Sequence, residues 1–309
     1  MLEPLKWVGS LLGMVVSFLY LALVINPIQI ISVLIYPVSP KLCRRINRWC
    51  ARSIWGWWVV MAECQNNIEV RITGDKVPVR ENVFVTSNHQ SVADIMVMLC
   101  FAWRCGRIGD MKWFVKDILK WIPGPGWGMY MIDCIFLKRN WARDKQDVLD
   151  LFSKFKRNDI PVFLVSFLEG TRATPEKLKK SQEYARKSNL PIPQATLVPR
   201  TKGFVATMQG LGDHLDAVYD LSMGYPDGVP SFVDCFLRKV RRVDIHVTRY
   251  PINAFEMSDE KLSDWVFARY REKDQLMVDY KANGAFPGEV NYGPIYPLDY
   301  FRPESKVRQ

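Results

Sequence analysis

Hydrophobic and polar positions beyond residue 65 form short apolar runs that alternate with amphipathic segments. Apolar runs of roughly four to eight residues between turn-forming residues predict strands, and apolar positions at helical spacing predict helices. The pattern predicts strands over 68–72, 83–86, 131–137, 162–168, 195–198, 218–223 and 243–248. It predicts helices over 92–103, 112–121, 143–157, 175–187, 203–211 and 259–282. Because strands and helices alternate, we expect an α/β fold with a single, mostly parallel sheet flanked by helices.

The N-terminal region has a different pattern. Positions 7–40 carry no charged side chain, and 7–25 alone approaches the roughly 20 apolar residues that a bilayer-crossing helix needs. The basic residues that follow predict that the chain continues on the cytoplasmic side. They are Lys41, Arg44, Arg45, Arg48 and Arg52. We expect residues 1–62 to form a membrane anchor or interfacial helices and 63–309 a globular domain. The pattern leaves open whether the anchor spans the bilayer or bends at Pro27 and is half-inserted.

The charge and the cysteines narrow the class of partner. A net charge of +10 indicates anionic partners such as phosphate esters, nucleic acid or an acidic membrane surface. We expect no nucleic-acid partner, because the chain contains no recognisable nucleic-acid-binding module. The 7 cysteines are scattered without paired spacing, so the sequence does not indicate zinc ribbons or thioredoxin-like chemistry.

The candidate chemistry begins in the segment SNHQSVADI, where four residues separate His89 from Asp94. A neutral imidazole beside a carboxylate can take a proton from an alcohol. Within one helix the two side chains would point about 140° apart, so we expect the helix to begin between them, with Ser91 as its N-cap. The alternative is that Ser91 and Asp94 form only a capping box and that His89 is structural.

Three other predicted strand ends carry basic or turn-forming residues, in the segments FLKR, FLEGTR and LVPRTKG. Arginine can bind a phosphate with two hydrogen bonds, and glycine permits a tight turn. Because the carboxyl ends of parallel strands meet at one edge of a sheet, we expect these residues to line one crevice with His89. The alternatives are that FLKR is only a solvated strand end and that FLEGTR is an ordinary strand-to-helix loop with a salt bridge. The residues are Lys138, Arg139, Glu169, Gly170, Thr171, Arg172, Pro199, Arg200 and Lys202.

In this order the segments resemble the four sequence blocks of the glycerolipid acyltransferases. NHQSVAD, IDCIFLKR, FLEGTR and LVPRTKGF each resemble one block. The stretches after the third block and around WVFARYREKDQ are similar to the 1-acylglycerol-3-phosphate acyltransferase family, so that the resemblance covers roughly residues 80–290. Ala173 stands where relatives often carry Phe. The chain ends without the C-terminal apolar segments of animal relatives, and we therefore expect a bacterial-type member.

The resemblance implies an acyltransferase domain over 63–309 and a function in phospholipid biosynthesis. His89, oriented by Asp94, would deprotonate the free hydroxyl of lysophosphatidic acid, which would then attack the thioester of acyl-CoA or acyl carrier protein and give phosphatidic acid. Arg172 is the expected ligand of the acceptor phosphate, and the other strand-end residues would bind or shape the substrates. The resemblance implies no metal or other cofactor.

The expected partners are membrane lipids, lysophosphatidic acid and the acyl donor. The expected location is the bacterial inner membrane, with the catalytic domain on the cytoplasmic face. Two alternatives stay open at this point. One is an acyltransferase or transacylase for another lysophospholipid, and the other is a non-catalytic basic lipid-binding membrane protein.

Overall fold

The computed structural model describes residues 3–138 and 141–291. At its N-terminus, α1 (Glu3–Tyr20), a π-helical turn (Leu21–Ile25) and α2 (Asn26–Ile35) form one continuous helical segment. Within the described residues, one helix, Trp7–Ile35, is long and apolar enough to cross a membrane. Pro27 has no amide hydrogen to donate, and the wider π turn just before it accommodates this loss.

A stripe of polar side chains joins this apolar segment to α3 (Pro40–Val60), which runs back along it. Asn47 donates to Ser32 Oγ at 2.8 Å, and Trp57 Nε1 donates to Ser17 Oγ at 2.9 Å. The pairs show that the two helical segments are antiparallel over most of their length. The opposite face of the apolar segment is exposed, with Leu19, Leu23, Ile31 and Leu34 among its side chains.

The described part of the chain forms one seven-stranded sheet. Its strands are β1 (Glu69–Gly74), β2 (Val83–Ser87), β3 (Met111–Lys116), β4 (Ile135–Leu137), β5 (Phe163–Ser166), β6 (Ala217–Gly224) and β7 (Arg242–Pro251). They lie in the order β1-β7-β6-β2-β5-β3-β4. All neighbouring strands are parallel except β6 and β7, so the expected mostly parallel sheet is confirmed.

Helices cover both faces of this sheet. Val85 of β2 belongs to an apolar cluster with Phe101, whereas its neighbour Phe84 packs in a second cluster with Phe152 and Phe204. Burial on both faces explains why the central strands are continuously apolar rather than alternating. The helices are α4 (Asp94–Arg104), α5 (Pro125–Met131), α6 (Trp141–Arg157), α7 (Pro175–Lys187), α8 (Thr201–Leu211), α9 (Phe232–Phe236) and α10 (Asp259–Asn283).

The predicted helix over 112–121 is wrong. The chain there forms β3 (Met111–Lys116) and a short 3-10 helix (Asp117–Trp121). β3 pairs with β5 on one side and β4 on the other, and these pairings override the helical preference of the local sequence. The strand predicted over 131–137 is confirmed only for Ile135–Leu137, because α5 ends at Met131.

The strand predicted over 195–198 is also wrong, because a side chain satisfies its backbone. The amides of Gln194, Ala195 and Thr196 all donate to the carboxylate of Asp274 on α10, at 2.7–2.8 Å. Amides bound in this way need no neighbouring strand. The other five predicted strands and five predicted helices are present, with ends that differ by a few residues.

The N-terminal helices share their packing with the sheet domain. Leu21 and Val59 lie in the same apolar cluster as Phe101. Glu63, beside the predicted boundary at residue 62, forms a buried ion pair with Arg104 of α4 through two contacts of 2.7 Å. The division into an anchor (1–62) and an acyltransferase domain (63–309) stays a prediction.

Candidate active site

His89 and Asp94 meet where β2 leads into α4. His89 Nδ1 lies 2.8 Å from Asp94 Oδ2, in a contact that holds the ring by the nitrogen nearer the backbone. α4 begins at Asp94, two residues later than predicted, and the chain enters the helix after His89 as the spacing predicts. The predicted N-cap Ser91 is wrong, because the N-cap is Ala93 and no side chain caps it. The carboxylate is fully buried, whereas 17% of the imidazole side chain is exposed. The ring can therefore be reached by a substrate while its partner cannot.

Asp94 also fixes the turn that carries the histidine. Its Oδ2 accepts hydrogen bonds from the Gln90 and Ser91 amides at 2.6 and 3.0 Å, and Oδ1 accepts from the buried Tyr225 hydroxyl. Burial and the nearby Asp94 raise the pKa of Tyr225 well above its usual value, so this hydroxyl remains a donor. Asp94 thus holds the turn before α4 and orients His89 with one side chain. Of the predicted capping box only the contact from the Ser91 amide to Asp94 is present, because Ser91 Oγ donates to the Pro230 carbonyl instead.

One face of the imidazole ring is covered by Phe167. The two rings are stacked, with centroids 4.0 Å apart and an angle of 13° between their planes. Among the described residues, none forms a hydrogen bond with His89 Nε2, so this nitrogen can accept a proton from an alcohol. A ring held by Nδ1 and by stacking, with Nε2 free, has the geometry of a general base.

The loop after β5 is bonded to both sides of the His89 backbone. The His89 amide donates to Glu169 Oε1 at 3.1 Å, and the Ala173 amide donates to the His89 carbonyl at 2.7 Å. Gly170 turns the loop with φ of +68°, and a Cβ there would lie 3.0 Å from Arg200 Nε. The backbone conformation therefore favours glycine, and any side chain at this position would press on Arg200.

The structure brings some of the predicted phosphate ligands to His89. Arg172 is exposed and immediately precedes Ala173, and it forms no ion pair within the described residues. Arg200 lies against Gly170, and its amide donates to the Leu168 carbonyl at 2.8 Å. Arg172 is thus next in the chain to a residue bonded to His89, and Arg200 packs on the same loop.

The remaining predicted residues serve other contacts or lie farther away. Thr171 Oγ1 accepts a hydrogen bond from Lys177 at 2.5 Å, Pro199 is buried, and Lys202 is exposed in the first turn of α8. Lys138 follows β4, three strand positions and so about 14 Å from β2 across the sheet. The predicted Arg139 lies outside the described residues.

Sequence reasoning missed Tyr225, Phe167 and Gln90. Gln90 Nε2 donates to the Met223 carbonyl at 2.7 Å, and so ties the His89 turn to the end of β6. Tyr225 follows that same strand end. Tyr225 could have been considered because it follows a predicted strand, and strands parallel to β2 end at the same side of the sheet as β2 does.

Glu169 is buried beside this site, and burial raises its pKa to about 8, with the His89 amide acting in the opposite direction. Between the usual value of 4.5 and about 8, the unfolded chain ionises at this residue while the folded protein keeps the proton. Rising pH therefore destabilises the folded protein across this window, by up to about 1.4 kcal/mol for each pH unit. Below the window both states are protonated, and above it the cost is constant.

We expect Glu169→Gln to remove this dependence, because glutamine can still accept from the His89 amide and does not ionise. The melting temperature of the variant should rise relative to wild type as the pH increases from about 5 to 8. Thermal unfolding at several pH values measures this difference. Glu183→Gln, at an exposed position on α7, is the matched control and should show no such trend. A constant difference between Glu169→Gln and wild type would contradict the buried, protonated carboxyl.

The fold and the site together define a class of protein. A parallel α/β sheet presents a histidine–carboxylate pair at a strand end, with guanidinium groups beside it, and this arrangement suits a transferase that activates a hydroxyl group. Family models agree with this class. The model described as Acyltransferase matches residues 69–224, and the model described as Acyltransferase C-terminus matches residues 234–305.

Relatives name the family more closely. The chain is 34% identical over 250 residues to a probable 1-acyl-sn-glycerol-3-phosphate acyltransferase 5 of Arabidopsis thaliana, covering 79% of this chain and 67% of the relative. It is 30% identical over 285 residues to 1-acyl-sn-glycerol-3-phosphate acyltransferase gamma of Homo sapiens, covering 90% and 76%. The chain belongs to the 1-acyl-sn-glycerol-3-phosphate acyltransferase family, a family of O-acyltransferases. These relatives come from a plant and an animal, so the bacterial origin stays a prediction.

A solved structure has the same fold. The crystal structure of the 1-acyl-sn-glycerophosphate (LPA) acyltransferase PlsC from Thermotoga maritima superposes with a TM-score of 0.55 at 17% sequence identity. The match covers 92% of this chain and 99% of that one, so the likeness includes the N-terminal helices as well as the sheet.

Proposed function

We propose that this protein transfers a fatty acyl group from acyl-CoA or acyl carrier protein to the free hydroxyl of 1-acyl-glycerol-3-phosphate, which gives phosphatidic acid. The observation that carries the proposal is the 2.8 Å contact between His89 Nδ1 and Asp94 Oδ2, with Nε2 facing no partner among the described residues. The names of the relatives support the substrate, and the net charge of +10 suits two anionic substrates at a membrane.

In the proposed reaction, His89 Nε2 accepts the hydroxyl proton as the oxygen attacks the thioester carbonyl. Asp94 stabilises the imidazolium that forms and keeps its Nδ1 proton in place. The tetrahedral intermediate then collapses, the carbon–sulfur bond breaks, and the imidazolium returns the proton to the leaving thiolate. The base is supplied by the protein and the acyl donor is a substrate, so the proposal includes no metal or other cofactor.

Arg172 is the proposed ligand of the acceptor phosphate. Its exposed guanidinium adjoins Ala173, whose amide binds the His89 carbonyl, so a phosphate held there lies near the base. We assign supporting roles in substrate binding to Lys138, Arg139 and Arg200.

We expect Arg172→Ala to raise the KM for the acceptor roughly 10- to 100-fold, the effect of losing one or two charge-assisted hydrogen bonds. The KM for the acyl donor should change much less. Steady-state kinetics with each substrate varied in turn separates the two. Arg186→Ala, at an exposed position on α7, is the control and should behave as wild type. Unchanged acceptor kinetics in Arg172→Ala would remove this role.

The experiment that tests the function uses purified protein, labelled acyl-CoA or acyl carrier protein, and a panel of lysolipid acceptors with products identified by mass. We expect phosphatidic acid from 1-acyl-glycerol-3-phosphate as the main product. A different preferred acceptor would indicate another lysophospholipid acyltransferase. Transfer from phospholipid as the sole donor would indicate a transacylase, and no transfer at all would leave a non-catalytic lipid-binding protein.

We propose that residues 1–62 anchor the protein in one leaflet rather than across the bilayer. The polar pairs between the apolar helical segment and α3 extend from Ser17 to Ser32, and α3 itself packs on the sheet domain through α4. A helix held to the domain along its length favours a position in the membrane plane, with its exposed apolar face in lipid. The basic residues of α3 favour the cytoplasmic face. The bacterial inner membrane remains the expected membrane.

A further inference from the structure

A cationic cavity of about 220 Å³ lies at the end of the sheet where the strands begin, opposite the strand ends that carry His89. It is formed where the start of α3, the start of β3 and the turn after α6 come together. Five of its lining residues are basic, and the chain brings them there from two separate elements. Arg48 is paired with Asp110, and the other four form no ion pair within the described residues. These residues are Lys41, Arg44, Arg45 and Lys112.

The cavity is remote from the proposed active site. Lys112 is level with Leu164 of β5, which is level with Phe84 of β2. Phe84 precedes His89 by five residues, so the cavity lies about 16 Å back along the strand direction at roughly 3.3 Å per residue. A ligand in this cavity therefore cannot be the phosphate that Arg172 is proposed to bind.

The positive charge of this cavity is poorly neutralised by the protein itself. Among the acidic side chains that line it, Asp110 binds Arg48 at 2.6 Å and Asp133 binds Lys154 at 2.6 Å. Asp159 is the one lining carboxylate without an ion pair among the described residues. Four basic side chains without ion pairs there thus face a single unpaired carboxylate. Such an excess attracts an anion.

Lys112 is the strongest indication of a ligand. Its side chain is buried, with 5% of the residue exposed, yet it has no hydrogen-bond acceptor within the described residues. Its ammonium lies 6.0 Å from the centroid of the Phe155 ring, which stabilises the charge only in part. Little of this residue reaches solvent, and an anion in the cavity would supply the acceptor that the described residues do not.

The start of α3 adds to this argument. Its first turn has no acidic residue, and Lys41 and Arg44 lie within the first two turns. Cations near a helix N-terminus are unfavourable, because the free amides already carry partial positive charge there. The same amides and cations together suit a phosphate group.

We propose that this cavity binds the phosphate of an anionic phospholipid headgroup and so forms a second lipid site, separate from the site of acyl transfer. The turn that joins α2 to α3 supports a lipid rather than a soluble anion. It exposes Tyr36 and Val38, the latter by 88%, next to the exposed apolar face of α2. The inference rests on the proposed membrane location and does not depend on acyl transfer.

The test uses the full-length protein in neutral detergent micelles, titrated with dihexanoyl phosphatidylglycerol while thermal unfolding is followed. A ligand that binds the folded state raises the melting temperature with a saturable concentration dependence. We expect Arg44→Gln/Arg45→Gln and Lys112→Met each to weaken this binding at least about tenfold, as loss of a charge-assisted contact should. Apparent affinity is compared, so a variant that is less stable without ligand still tests the site.

The controls separate this site from general charge effects and from the proposed active site. Arg186→Gln/Lys187→Gln removes two adjacent exposed cations from α7, and Arg172→Gln removes the proposed acceptor ligand. Both should bind the lipid as wild type does. Dihexanoyl phosphatidylcholine should have little effect. The cavity variants should keep acyl transfer in micelles. If wild type itself showed no acyl transfer, that result would contradict the proposed function and leave the lipid site untouched.

Two results would overturn the inference. Equal stabilisation of wild type and both cavity variants by phosphatidylglycerol would show that the lipid binds elsewhere. Equal stabilisation of wild type by glycerol 3-phosphate or inorganic phosphate at the same concentration would show that the cavity takes a soluble phosphate rather than a headgroup.

Discussion

His89→Ala should lower the rate of acyl transfer by about 10²- to 10⁴-fold, the usual contribution of a general base. The structure gives this residue one chemical task, because Nδ1 is held by Asp94 and Nε2 is the nitrogen left for the hydroxyl proton. Membrane association should survive, since the N-terminal helices do not depend on the imidazole. The loss should appear in kcat with both substrates saturating, together with an unchanged amount of protein in the membrane fraction.

The matched control for this variant is His214→Ala. His214 is a histidine outside the site, and its Nε2 contacts the Ile160 carbonyl at 2.8 Å. It should lose some stability and keep its rate per folded molecule. Full activity in a folded His89→Ala protein would eliminate the proposed mechanism, whatever the acceptor lipid proves to be.

The His89–Asp94 pair could be predicted because the information is local. Four intervening residues exclude a contact within one helix and leave a helix start between the two as the solution. The strand before them is also a local signal, whereas the local sequence wrongly predicts Ser91 as the N-cap. Tyr225 could not be predicted in the same way. It reaches Asp94 from beyond β6, and the neighbours of a strand in a parallel sheet are not fixed by local sequence.

The misassigned elements have the same physical origin. The segment from Met111 has a pattern that a helix could use, but β5 and β4 offer hydrogen bonds on both sides and it becomes a strand. The segment 195–198 resembles a strand, but Asp274, some 80 positions later in the chain, takes its amides. In both cases a partner distant in sequence decides the backbone conformation.

The sequence predicts that the basic residues at the strand ends line one crevice with His89. In the structure, some of them lie beside the His89 turn and others lie farther away. Arg172 and Arg200 adjoin the His89 turn because β5 is the direct neighbour of β2 and the following loop folds over it. Lys138 follows the edge strand β4 on the same side of the sheet but three positions away. The common edge was predictable from parallel strands, whereas the strand order that sets the distances was not.

Asp94→Asn decides between the two roles that the sequence leaves open for this carboxylate. Asparagine has nearly the same shape, and its oxygen can keep the hydrogen bonds from the Gln90 and Ser91 amides while its NH2 group donates to the Tyr225 hydroxyl oxygen. The fold and the helix start should therefore persist. The negative charge that stabilises the imidazolium is lost, so we expect kcat to fall by at least about 10²-fold.

The comparison for Asp94→Asn is Asp234→Asn. Asp234 accepts from the Ser231 amide at 2.8 Å in the capping box of α9, forms no hydrogen bond with His89 among the described residues, and its loss tests a cap alone. Kinetics and thermal unfolding of both variants separate rate from stability. If Asp94→Asn lost stability like Asp234→Asn and kept the wild-type rate per folded molecule, Asp94 would be a helix cap only. His89 would then need another partner to act as a base.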